Sequence, residues 1–113
     1  MKQNQKEFMI DLANIAVFDN VLEDIFIVKK GSHNRYAGWV TLLQEDDPDK
    51  TLYKITPQNL WASIRKVCDE NVDGLEDETE KNILLADKRL DTSVLEPDDI
   101  LVLFHLACFG ELQ

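Results

Sequence analysis

Twelve residues hold the densest set of potential ligands in this sequence: DENVDGLEDETE, Asp69 to Glu80. Asp69, Asn71 and Asp73 put oxygen ligands at the first, third and fifth positions of a calcium-binding loop. Gly74 stands where such a loop turns sharply, Leu75 can offer a backbone carbonyl, and Glu80 closes the twelve with a carboxylate able to give both its oxygens. Helical patterns lead in to Cys68 and out from Glu80, as a helix–loop–helix site requires. Three features oppose a metal. The eighth position, normally aliphatic, is Glu76; no second loop accompanies the first; and seven acids in twelve residues match an acid-specific pattern by composition alone. Without a cation the segment reads as a capped, solvent-facing connection between two helices.

Other catalytic chemistry is sparse. Cys68 and Cys108 lie forty residues apart on apolar helical faces, with no further cysteine to build a zinc site, so two buried thiols in a reducing compartment are expected. His33 falls in a turn and His105 in a hydrophobic helix, neither beside a recognisable nucleophile. With no phosphate loop or metal triad either, the expectation is a protein that is not an enzyme and uses no cofactor.

Charge says more. Of 113 residues, 12 are Lys or Arg and 22 are Asp or Glu, a net of -10. Residues 1–45 hold five basic and six acidic side chains, whereas residues 46–113 hold seven and sixteen. A negative field of this kind repels phosphate, which disfavours direct nucleic-acid or anionic-membrane binding and makes a basic protein surface or a cation the natural partner. It also keeps a small protein soluble, which by itself explains an acidic composition. No apolar run nears the eighteen or so residues that span a bilayer, and MKQNQKEFMIDL lacks the apolar core of a signal peptide, so a cytoplasmic location is expected.

These groups need a scaffold, and periodicity describes one. At 44% hydrophobic residues the chain should fold as a single α+β domain over residues 1–113, with four or five helices and a two-stranded antiparallel β-hairpin. Phe8, Leu12, Ile15 and Ala16 mark a first helix over residues 4–16. A second can start at Asn20, paired with Glu23 as a cap and stopped at Gly31, although the β-branched run IFIV also suits a strand. Residues 36–56 read as the hairpin: Tyr36, Val40 and Leu42 point one way, Trp39, Thr41 and Leu43 the other, and the tip EDDPDK is acidic. Asp and Pro there suit a solvated turn, and the same acids could dock on a basic partner.

Thr56 and Pro57 then open a helix, with Ile55 and Leu60 spaced as a hydrophobic staple and Leu60, Ile64, Val67 and Cys68 on one face. EKNILLADKRL makes a shorter helix. PDDILVLFHLACFG, apolar nearly all round and closed by Gly110, should be the central buried one. Tyr36, Trp39 and Trp61 are expected to pack at the core or its rim. No repeat or linker interrupts the chain.

A short helix ending at Gly31, the aromatic pair Tyr36 and Trp39, the strand and helix LYKITPQNLWASI, and the closing run DDILVLFHLACFGEL together resemble a group of small acidic proteins of bacteriophages and related mobile elements, over residues 18–112. Phe109, Gly110 and Glu111 match that group's closing motif. KKGSH stands where the group has an acid and two glycines, and Arg35, Ala37 and Gly38 interrupt the aromatic pair. The resemblance implies a mobile-element accessory protein of a bacterial cytosol and transfers no activity. The combined expectation is a non-enzymatic acidic protein that engages a basic host protein, such as a defence or regulatory factor. Asp46, Asp47 and Asp49 on the tip and Glu76, Asp77 and Glu78 on the loop would stand in for phosphates. The alternative is a module that binds calcium weakly through Asp69–Glu80.

Overall fold

The computed structural model describes residues 1–23, 25–29 and 31–112. Among them the chain is α+β, with helices α1 (Gln3–Phe18), α2 (Pro57–Asp69), α3 (Asp77–Arg89) and α4 (Pro97–Phe109), and strands β1 (Phe26–Val28), β2 (Val40–Gln44) and β3 (Leu52–Ile55). A 3-10 turn at Thr92–Val94 links α3 to α4. The strands form one antiparallel sheet in the order β1-β2-β3. No described helix is long and apolar enough to cross a membrane.

The expected hairpin is present, and a third strand joins it where a helix was expected. Asn20 does not begin a helix; it ends one. Its φ of 56° lets the Asn20 N–H reach the Val17 carbonyl and the Val21 N–H reach that of Ala16, the paired bonds of a left-handed helix stop. Asn serves both roles because its short polar side chain tolerates the left-handed region and also caps helices. Beyond it, β-branched and aromatic side chains gain more from a pleated surface than from a helix. Phe26, Ile27 and Val28 accordingly pair with Gln44, Leu43 and Leu42. Asp24 and Lys30, which fall within the expected helix, lie outside the described residues.

The hairpin starts later than Tyr36. The Asn34 side-chain oxygen accepts from the Tyr36 and Ala37 N–H groups, and the Gly38 N–H bonds the Asn34 carbonyl, so residues 34–38 curl into a turn that leaves Tyr36 78% exposed. Gly38 (φ 75°) presses this turn onto α1, and a Cβ there would lie 2.7 Å from Ile10 Cγ1. From Val40 onward the expected alternation holds: Val40 and Leu42 are buried, while Thr41 and Leu43 stay partly exposed.

The helices follow their signals closely. Thr56 accepts from the Asn59 N–H and Asn59 Oδ1 accepts from the Thr56 N–H, closing a reciprocal cap on α2, while Ile55 and Leu60 are both buried. α3 begins at Asp77, earlier than expected, because Asp77, Glu78 and Glu80 in its first turn complement the positive end of the helix dipole. Gly110 closes α4 in the left-handed conformation.

The core joins all four helices and all three strands, with Met9, Leu12, Leu42, Leu60, Ile64, Leu103 and Phe104 at its centre. α4 packs on α1, α2, α3 and β3, as its apolar circumference requires. One acid is buried with it. Asp99, 2% exposed, accepts from the Glu96 N–H at 2.8 Å and from Asn82 Nδ2 at 2.9 Å, so a cap on α4 also ties that helix to α3.

Candidate functional site

The six carboxylates expected to meet a partner fall on two separate elements. Asp46, Asp47 and Asp49 lie in the β2–β3 turn, on a hairpin that packs against α4 through β3. Glu76, Asp77 and Glu78 lie at the head of α3, which packs on α2, α4 and the 3-10 turn. They are not equivalent. Asp47 accepts from the Thr51 N–H at 3.1 Å and the Asp49 N–H at 2.9 Å, and these bonds hold its carboxyl below the ordinary 3.8. It folds the turn and has little left to offer a partner. Asp46, Asp49, Glu76, Asp77 and Glu78 are exposed, and no hydrogen bond or ion pair among the described residues engages their carboxylates.

Asp69, first in the candidate calcium loop, is still the last residue of α2 and faces Arg65, with 4.0 Å between Arg65 Nη1 and its Oδ1. Arg65 also pairs with Asp87 and stacks over Trp61, 4.6 Å from the ring centre. Glu80 is in the first turn of α3, so the loop does join two helices. Among the described residues, however, no three His, Cys, Asp or Glu side chains gather as a set able to hold a metal ion.

The thiols and imidazoles are chemically quiet. Burial, with the Asp87 carboxylate beside it, pushes the Cys68 thiol up to about 11, and burial alone takes Cys108 to about 12, so both stay protonated near neutrality. Burial lowers both histidines below 6.5. His33 Nε2 lies 2.9 Å from Asn14 Oδ1, and Asn14 Nδ2 donates to the Arg35 carbonyl, so this pair fastens the 33–35 segment to α1. His105 meets Phe109 edge-on beside a cleft lined by Gln44, Phe109 and Glu111.

A feature missed in the sequence is the outer face of the sheet. Its register aligns Ile27 with Leu43 and Leu43 with Leu52, one apolar row across three strands, and Ile27 and Leu52 are 51% and 50% exposed. Two residues further along, the Lys29 N–H bonds the Thr41 carbonyl and Thr41 aligns with Lys54, whose ammonium sits 4.7 Å from the centre of the Trp39 ring. The signal was present in part, since Trp39, Thr41 and Leu43 share one side of the expected strand. What was missing was the third strand, which supplies Ile27 and leads into Lys29.

No family model, curated protein or solved structure matches the chain.

Proposed function

We propose that this chain is a non-enzymatic binding protein of phage or mobile-element origin that engages a basic protein, a host defence or regulatory factor, through its carboxylates. The observation that carries this reading is the set of exposed, unengaged acids: Asp46 and Asp49 on the tip, and Glu76, Asp77 and Glu78 at the head of α3. Each is placed to meet Lys or Arg without first breaking an internal bond. Asp47 is withdrawn from the set, because its oxygens are committed to the turn. Charge complementarity of this kind speeds encounter and weakens with salt. Phosphate-bearing ligands are disfavoured by the same field, which favours a basic protein surface or a cation.

Affinity capture from a host lysate at low and high salt tests the reading. Basic proteins should be retained at low salt and released at high salt, and charge reversal at Asp46, Asp49, Glu76 and Glu78 should abolish retention. Capture indifferent to both salt and charge reversal would overturn it. The alternative, weak calcium binding at Asp69–Glu80, is favoured by the helices on either side of the loop, and a calcium titration decides it.

A further inference from the structure

Isolated surface carboxylates contribute little each, because water and salt already screen them. A specific complex needs an apolar centre that excludes water, with charges arranged around it. We infer that the outer face of the sheet is that centre, and that the basic partner docks with an apolar segment on the row Ile27–Leu43–Leu52 while its cationic flank meets Asp46 and Asp49. The inference rests on the function proposed above and adds to it a place and an orientation.

Two observations carry it. The first is exposure: half of Ile27 and half of Leu52 are open to water at either end of the aligned row, while the opposite side of the same strands holds Phe26, Val40, Leu42 and Ile55 buried. The second is charge polarity along the face. Past Leu43 and Leu52 the chain enters the tip, where Glu45, Asp46, Asp47 and Asp49 outnumber Lys50. In the other direction lie Lys29 and Lys54, the latter seated over Trp39. The face is thus negative at one end, apolar in the middle and positive at the other.

That order selects the occupant. The row runs across the strands, with the acidic tip off one side and Lys29 and Lys54 off the other, so a partner surface with Lys or Arg along one flank of its apolar residues fits in one orientation only. Reversed, its cations would meet Lys29 and Lys54. A second copy of this chain fits poorly, since each copy carries a net charge of -10.

The test uses two synthetic peptides, one with three arginines followed by alternating valine and threonine, the other with the same arginines followed by serine. Binding is followed by amide shifts in a 15N-labelled sample at low salt. The first peptide should bind at least about tenfold more tightly than the second, a difference of about 1.4 kcal/mol, and should shift the amides of Ile27, Leu43 and Leu52. Leu52→Lys should remove that advantage while leaving the unfolding midpoint unchanged. Asp46→Lys with Asp49→Lys should weaken both peptides. If both peptides bind equally and Leu52→Lys changes neither, the docking face is wrong and the carboxylate reading stands. If neither binds at low salt, both are wrong.

Discussion

Leu42 and Leu43 are chemically identical neighbours in one strand, and the fold uses them in opposite ways. Leu42 is fully buried in the core, whereas Leu43 lies on the outer side between Ile27 and Leu52. The difference comes from the two-residue repeat of a strand, which sends alternate side chains to opposite faces. It teaches that hydrophobicity alone does not mark a core position. In this hairpin one face holds the molecule together and the other holds nothing of its own.

The strongest way to break that comparison is by truncation. Leu42→Ala should cost about 2–5 kcal/mol, through lost burial and the cavity left behind, whereas Leu43→Ala should cost less than about 1 kcal/mol. Urea unfolding measures both, and equal losses would make the outer row structural. Next comes Gly38→Ala, which seats an alanine in the left-handed region and against Ile10 at the start of β2. A loss of about 1–3 kcal/mol is expected. Repeating it in an Ile10→Ala background should recover only the part due to Cγ1, because the Cα and Cβ of residue 10, 3.0 and 3.2 Å from the new methyl, remain beside the backbone strain.

A smaller effect separates the acids of the tip. Asp47→Ala should lower the unfolding midpoint, since two N–H groups of the turn lose their acceptor, while Asp46→Ala and Asp49→Ala should not. The folded carboxyl of Asp47 titrates below its ordinary 3.8. Its contribution is therefore complete above that value and disappears as pH falls through the depressed one. The Asp47→Ala variant should accordingly converge with the parent in strong acid, a point that acid unfolding monitored by circular dichroism can check. The smallest effect concerns the acid-rich loop. Millimolar calcium should leave the amide spectrum of residues 69–80 unchanged, and saturable shifts there would restore the metal reading.

The elements legible in the sequence were those whose signals are local. Thr56, Pro57 and the Ile55–Leu60 staple set the start of α2 within a short stretch of chain, and Gly110 closed α4 for the same reason. The alternation from Val40 to Leu43 was likewise contained in the strand itself. β1 was only partly legible: the run IFIV suited a strand, but Asn20 offers the same chemistry to a helix start and a helix stop, and only pairing with β2, a distant partner, decides between them. The acids of the tip and loop were found by composition. That Asp47 is spent on the turn was hidden, since Asp46 and Asp49 look the same in sequence. The apolar row was hidden more deeply, because it exists only once three strands are in register.

β1 also bears on how the protein behaves in concentrated solution. It is a short edge strand next to an exposed apolar row, and edges recruit further strands unless something keeps other chains away. Here mutual repulsion between copies carrying -10 each does so. That protection fades as pH approaches the isoelectric point of about 4.5. Handling the protein well above that pH, in modest salt, keeps the colloid stable, whereas acidified or salted stocks should cloud first through this side of the sheet.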